Sequence, residues 1–406
     1  MTTSLPSPSG PAAGAAEAPL HGLKVVEFTH MVMGPSVGVI LGDLGAEVIK
    51  VEPIDGDATR RLIGSGAGYF PMYNRNKKSI RLDLKSKDGL DLAVRLAGWA
   101  DVFIENFRPG AMDRLGLGYE ALKAANPGLI YCSAKGFLPG PYETRTALDE
   151  VAQMMGGLAY MTGPPGRPLR AGASVIDVTG GMFGVIGILA ALEQRRRSGA
   201  GQSVDCSLFE TTAFLVGQHI AQKAVTGVAA APMPVRVSAW AVYDVFATAD
   251  GEQVFVGVGS DAQWLNFCKA FDLADWASDP ALALNNQRVK VRESLIPEIR
   301  TLFGSFSKAE LLRRCEAANL PFAPITRPEE LVDDPHLLAS EGMVSVTAKD
   351  GVRADLPNLP LRMDGRRPRL REDVPSSGQH TRDILIGVLG LDPDRVDALQ
   401  RAGAVA

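Results

Sequence analysis

Cysteine is scarce. Cys132, Cys206, Cys268 and Cys315 are the only four in 406 residues, too far apart for a CxxC redox pair or a zinc ribbon. That usage suits a reducing cytosol. The five histidines are equally scattered, and without an HExxH or any paired ligand spacing a protein-held metal is not expected. Neither sign of charge dominates. The 42 Lys and Arg against 46 Asp and Glu leave a formal charge of −4, which gives no general attraction for nucleic acid or an anionic membrane. An anionic ligand must therefore be met by a local basic cluster. Long apolar runs are missing too: the longest, Met182 to Leu192, falls short of the about 20 residues needed to span a bilayer. Residues 1–19 have neither the basic start nor the apolar stretch of a signal peptide. They read as a disordered tail on a soluble, cytoplasmic protein.

What is present is an ordinary globular composition, 46% apolar and 22% charged, in a chain too long for one small core. Leu23 to Phe28 reads as a strand, Ser36 to Leu44 as a helix and Ala46 to Glu52 as a second strand, a βαβ unit. Further strands are expected at Ser79 to Leu84, Asp101 to Glu105, Leu129 to Ala134 and Gln202 to Phe209, with helices such as Leu90 to Ala100 between them. This alternation implies an α/β domain with a parallel sheet covered on both faces, over residues 20–225. At Thr226 to Pro234 the texture becomes Gly, Ala and Pro. Alternating strands at Trp240 to Ala249 and Glu252 to Val258, joined by Asp250-Gly251, form a hairpin signal. Ser307 and Glu310 mark a capping box. A smaller α+β domain is expected over 226–325, and residues 326–406 link back to the large domain.

The stretch Arg170 to Arg197 puts a carboxylate, Asp177, where an apolar helix begins. Asp there is an N-cap candidate, and the helix end favours its ionised form. Gly180, Gly181, Gly184 and Gly187 leave a stripe of bare backbone. Asp177 either merely caps, with the glycines serving close helix packing, or is a reactive carboxylate beside accessible amides. Gly34 to Gly38 satisfies G-x-S-x-G around Ser36, but the strand is five residues away and no HGGG motif exists, so close packing through Gly34, Gly38 and Gly42 is the better reading. Gly257 to Ala262 fits the dinucleotide fingerprint, but it lies in a hairpin region and reads as a tight turn.

Asn74 to Lys85 gathers five cations, suited either to a polyphosphorylated ligand or to a solvated loop and strand edge. Asn106 and Lys135-Gly136 leave the C-terminal ends of candidate parallel strands, where open α/β sheets bind ligands. Asp149 and Glu150 open another apolar helix. Two helix-opening acids, with no metal signature and no convincing Ser-His pair, direct attention to carboxylate chemistry.

Taken together, the stretches Gly22 to Phe28, Leu44 to Pro53, Asn76 to Ser79, Glu105 to Gly110 and Gly187 to Glu193 resemble the class III CoA-transferases, the CaiB/BaiF or formyl-CoA transferase family. The resemblance runs over nearly the whole chain from Leu20. It implies a large Rossmann-like domain with a smaller α+β domain, and a homodimer of two chains interlocked like rings. It places the family's nucleophile on Asp177, with a mixed anhydride and an aspartyl-CoA thioester as intermediates. No permanently bound cofactor or metal is implied; the coenzyme A thioester is a substrate, with a carboxylic acid as its partner. The CoA nucleotide is expected at His30, Met31, Leu82, Lys85, Asn106, Phe107, Arg114 and Lys135. Asp149, Gly180, Gly181 and Arg236 are expected near the active site, the glycine amides facing a tetrahedral oxyanion.

Two departures narrow the reading. The related α-methylacyl-CoA racemases carry a histidine base beside the helix-opening aspartate, where this chain has Leu148. Formyl-CoA transferases carry a glutamine in the first loop and a glycine run ahead of the small domain's first strand, where this chain has Val32 and Val235 to Ala239. Arg236 or Arg170 is a candidate partner for the free carboxylate of a dicarboxylic acyl group. Gly136 to Tyr142 and Gly163 to Gly166 look most like members acting on C4 or C5 dicarboxylates, mesaconyl-CoA isomerases especially. A racemase, a serine hydrolase and a non-catalytic acyl-CoA-binding protein are the rivals.

Overall fold

The computed structural model describes residues 18–236, 238–348 and 351–406; the tail expected over residues 1–19 lies outside them as far as residue 17. Contacts divide the described chain into two units. The larger runs to Pro234 and resumes at Pro335 through Ala406; the smaller is Val235–Asp334. These boundaries lie later than the expected 226 and 325. A helix runs on to Thr226 and is closed by Gly227 at φ 74°, and a strand at Phe322–Pro324 still pairs inside the smaller unit.

In the larger unit β1 (Lys24–Phe28) leads into α1 (Met33–Asp43) and β2 (Glu47–Glu52). α2 (Tyr69–Tyr73) precedes β3 (Lys77–Arg81), and α3 (Lys87–Trp99) precedes β4 (Val102–Glu105). α4 (Ala111–Arg114) and α5 (Tyr119–Ala125) lead to β5 (Ile130–Lys135). α6 (Asp149–Met155), α7 (Leu158–Thr162) and α8 (Val175–Ser198) come before β6 (Ser203–Ser207), followed by α9 (Leu208–Leu215) and α10 (Gly217–Thr226). The six strands form one parallel sheet in the order β3-β2-β1-β4-β5-β6. The order reverses between β1 and β4, and a crevice opens at such a point beyond the carboxyl ends of the strands.

The two-residue period of the strands sorts side chains into two cores. On one face Phe28, Phe103 and Tyr131 stack at 5.0 Å spacing above Leu92, Leu96 and Leu122, joined by Leu385, Val396 and Leu399 from the returning C-terminal segment. On the other, Val25, Ile104 and Cys132 meet Val37, Leu41 and Ile188 of α1 and α8. α8 is 24 residues long with mean hydropathy 2.0 over an 18-residue window, enough by length and composition to cross a membrane. It lies instead against α1, β5 and β6, with Ile176, Val185, Ile188 and Ala191 buried.

Glycine makes that seating possible. A Cβ on Gly181 would stand 2.8 Å from Cβ of Ser36, and one on Gly184 would stand 3.1 Å from both Val37 and Cys206. The close packing expected of α1 is also seen. A Cβ on Gly38 would reach 1.8 Å from a carboxylate oxygen of Glu27, a fully buried side chain that accepts from Lys77 Nζ at 2.8 Å.

The smaller unit has a three-stranded antiparallel sheet of β7 (Tyr243–Ala247), β8 (Gln253–Gly257) and β9 (Phe322–Pro324). Gly251, at φ 78°, makes the expected hairpin turn. Phe246, Trp264, Phe267 and Phe303 fill its core. The Gly257 to Ala262 stretch is not a hairpin turn: it opens α11 (Asp261–Ala270), with the Ser260 side chain accepting from the Gln263 N–H. Its parent strand is antiparallel, which removes the βαβ setting a dinucleotide site needs. A second hairpin, β10 (Met343–Thr347) with β11 (Arg353–Pro357), belongs to the larger unit.

Candidate active site

The loops at the reversal point are tied to one another by side chains. Beyond β1, Met31 turns the chain at φ 63° and its N–H donates to Oγ1 of Thr59 at 3.0 Å. Asn106, the first residue past β4, bridges back: its Oδ1 accepts from the His30 N–H at 3.0 Å and its Nδ2 donates to the His30 carbonyl at 2.8 Å. The Phe107 ring lies 5.4 Å from that of His30. Lys135, last residue of β5, donates to Oε2 of Glu105 and to the Phe107 carbonyl, both at 2.7 Å.

Asp177 projects from the first turn of α8. The helix starts at Val175, so Asp177 is its third residue and not the N-cap that its place before the apolar run suggests. The cap residue Ser174 makes no side-chain hydrogen bond. Asp149, first residue of α6, does that work from another helix: its Oδ2 accepts from the N–H groups of Ile176 at 2.9 Å and Asp177 at 3.2 Å. Two donors that a helix start leaves unpaired are thereby met by a buried carboxylate. Its Oδ1 accepts from Nε2 of Gln153 at 2.5 Å. Arg170 stands beyond, 3.6 Å from Asp149 and 3.4 Å from Glu150.

Asp149, Asp177 and Arg170 line one cavity of about 250 Å³ together with His30, Met31, Asn106, Lys135, Leu148 and Tyr69. Burial first, and the Asp149 charge second, push the Asp177 carboxyl up to about 7, against the pull of Arg170. The expectation that the helix start keeps it firmly ionised is therefore corrected: burial beside a second carboxylate outweighs the helix end. Burial, then the charge of Asp177, also push the Tyr73 phenol up to about 12. A half-buried carboxylate that lines a cavity together with a guanidinium and an ammonium group has, in its ionised form, the chemistry to attack an activated acyl group.

The family model for CoA-transferase family III matches residues 20–381. The chain belongs to that family.

Among its relatives, the succinate–glutarate CoA-transferase of Agrobacterium fabrum is 35% identical over 384 residues, covering 90% of this chain and 95% of its own. The succinyl-CoA–D-citramalate CoA-transferase of Chloroflexus aurantiacus is 33% identical over 390 residues, covering 94% and 97%. A CaiB/BaiF family protein from Brucella suis has a matching structure, with a TM-score of 0.81 and 33% identity over 92% of this chain and all of that one. As a family III CoA-transferase the protein acts on a CoA thioester and a carboxylate.

Of the residues expected around the CoA-transferase site, His30, Met31, Asn106, Lys135, Asp149 and Asp177 share the cavity, and the Phe107 ring lies tilted against that of His30. Leu82 and Lys85 follow β3 and Arg114 ends α4, outside that lining. Leu82 is buried and bridged to Val405, while Lys85 is exposed. Gly180 and Gly181 do not offer free amides. They are the sixth and seventh residues of α8, where each N–H is taken up by the helix itself; their role is the seat for α1. Arg236 is a half-buried residue of the smaller unit.

The basic stretch is also reassigned, because most of its cations are spent on internal partners. Arg75 pairs with Asp43, Lys77 with Glu27 and Lys78 with Glu47, while Arg81 donates to the Ile54 carbonyl. Ser36 is 1% exposed and donates to the Val32 carbonyl one turn back, so it is no nucleophile. Tyr69, Tyr73 and Gln153 went unseen in the sequence; a four-residue spacing joins the two tyrosines to each other and Gln153 to Asp149. Among the described residues no group of three His, Cys, Asp or Glu is placed to hold a metal ion.

Proposed function

We propose that this CoA-transferase moves CoA between two C4 or C5 dicarboxylic acids through Asp177. The carrying observation is that the Asp177 carboxylate and the Arg170 guanidinium line the same cavity. At 3.4 and 3.6 Å from its acidic neighbours, Arg170 keeps donors for a further carboxylate. The named relatives support the substrate class, since each pairs succinate or succinyl-CoA with a second dicarboxylic acid. The same names favour transfer between molecules over the intramolecular shift on mesaconyl-CoA.

In this reading an Asp177 oxygen attacks the thioester carbonyl, the carbonyl electrons pass to oxygen, and their return breaks the C–S bond. A mixed anhydride and CoA thiolate result. The thiolate then attacks the aspartyl carbonyl, releasing the donor acid and leaving an aspartyl-CoA thioester. The acceptor carboxylate attacks that thioester to give its own anhydride, and the thiolate attacks the acceptor carbonyl, freeing Asp177. The thioester bond is exchanged at each stage, so neither ATP nor a metal enters the balance. His30, Met31, Asn106, Phe107 and Lys135 guide the CoA arm, with Leu82 and Lys85 after the edge strand β3 and Arg114 at the end of α4 on its path.

Two copies are proposed to form the interlocked homodimer. α10 has no buried residue, and Phe214, Ile220 and Val225 are 72%, 62% and 85% exposed, an apolar surface that invites a partner.

The assay is conversion of succinyl-CoA and glutarate to glutaryl-CoA, followed by chromatography. Arg170→Ala is expected to raise KM for succinyl-CoA by about 10–100-fold, the worth of a charge-assisted contact, with a far smaller change for butyryl-CoA. Equal loss for both thioesters would contradict the assignment of Arg170.

A further inference from the structure

Gln153 lies one turn beyond Asp149 on α6 and is 0% exposed. Both ends of its amide are used. Nε2 donates to Oδ1 of Asp149 at 2.5 Å, and Oε1 accepts from the Ala171 N–H at 2.8 Å. Turning the amide over would set its oxygen against a carboxylate and its NH2 against an N–H, so the two contacts define a single orientation. Through the first contact the amide reaches the start of α8, because the other oxygen of Asp149 holds the N–H groups of Ile176 and Asp177. Through the second it reaches the backbone beside Arg170, whose Nε donates to the Ala171 carbonyl at 3.1 Å. One buried amide thus touches the support of the nucleophile and the support of the cation across the cavity.

We infer that Gln153 is a positioning residue that couples recognition of the acyl group's free carboxylate to the reactivity of Asp177. This rests on the reading of Arg170 given above. The Asp149 contact keeps that carboxylate aimed at the α8 start. The Ala171 contact fixes the segment that presents Arg170. Removing both ends leaves the part-buried Ala171 N–H and an oxygen of the buried Asp149 each short of a partner, and the segment and the helix start lose their common anchor.

Two substitutions separate the halves. Gln153→Glu keeps an acceptor for Ala171 but sets a carboxylate against Asp149, so one of the two must take up a proton near neutral pH. Gln153→Leu fills a similar volume and removes both contacts. The measurement is kcat/KM against pH for succinyl-CoA and butyryl-CoA, on variants whose melting temperature and circular dichroism show them folded, with Gln153→Met in reserve should Gln153→Leu not fold. Gln153→Glu is expected to preserve the succinyl-to-butyryl ratio while moving the acid limb by about one pH unit or more. Gln153→Leu is expected to cut that ratio by about tenfold.

The inference is overturned if Gln153→Glu leaves the acid limb in place and the apolar variant lowers both thioesters by one factor. Arg170→Ala, measured alongside, separates the two failures. If it collapses the ratio and Gln153→Leu does not, only the role of Gln153 falls; if it leaves the ratio intact, the reading of Arg170 falls as well and takes the coupling with it.

Discussion

At the residue scale the proposed nucleophile sits in a place that resists its ionisation. Asp177 must be an anion to attack a carbonyl, yet burial and the Asp149 charge push it up to about 7. The expected kinetic signature is an acid limb in kcat/KM near pH 7, activity falling with slope one below it. Asp149→Asn removes one upward cause while keeping an acceptor for the Ile176 and Asp177 N–H groups, so the limb should move to lower pH; a pH profile of this variant checks it. The thermodynamic signature has a definite sign. With a native value near 7 above an unfolded value of about 3.9, the neutral form contributes stability that is complete below about pH 4 and lost as pH rises through about 7. Asp177→Asn should therefore melt about 2–4 °C higher than wild type at pH 8 and show no such gain at pH 4. Asp177 itself was legible in the sequence as an acid before a glycine-studded helix. The direction of its shift was not, because Asp149, 28 positions away in the chain, meets it only through the packing of α6 on α8.

At the element scale the site depends on how closely α1 and α8 approach the sheet. The βαβ alternation was readable from periodicity, and so was the packing role of Gly34, Gly38 and Gly42. What periodicity could not reveal is that Glu27, in the middle of β1, turns toward α1 and meets Lys77 of β3 in a fully buried pair. The basic stretch could therefore be read as a phosphate-binding cluster or as a solvated strand edge, when much of it is internal ionic structure. Gly38→Ala is the sharp test of this layer. Its Cβ would intrude to 1.8 Å from Glu27 and 2.9 Å from Lys77 Nζ, so α1 must lift or the ion pair must part. Destabilisation of about 3–5 kcal/mol is expected, seen as a lower urea midpoint with an unchanged slope; a neutral result would show that α1 is not seated on this pair. The helix start at Asp177 was misplaced for a similar reason: its cap comes from another helix and leaves no local signature.

At the scale of the whole molecule, the chain divides after Pro234 and again after Asp334, within about ten residues of where the change of composition suggests. The exposed apolar side chains of α9 and α10 were not legible, since an apolar residue in a helix reads as core until the fold leaves it outside. Light scattering at micromolar concentration should give the mass of two chains, and Phe214→Glu with Ile220→Glu should shift the protein toward one chain and lower its activity. A monomer of full activity would remove the dimer from the proposal.

The most direct measurement is intact-protein mass spectrometry after brief incubation with succinyl-CoA and no acceptor acid. A CoA adduct on the wild type, released by hydroxylamine and absent from Asp177→Ala, is the predicted result, accompanied by loss of at least about 10³-fold in transfer rate in that variant. An adduct that persists in Asp177→Ala, or its absence from a wild type that turns over succinyl-CoA, would contradict catalysis through this carboxylate.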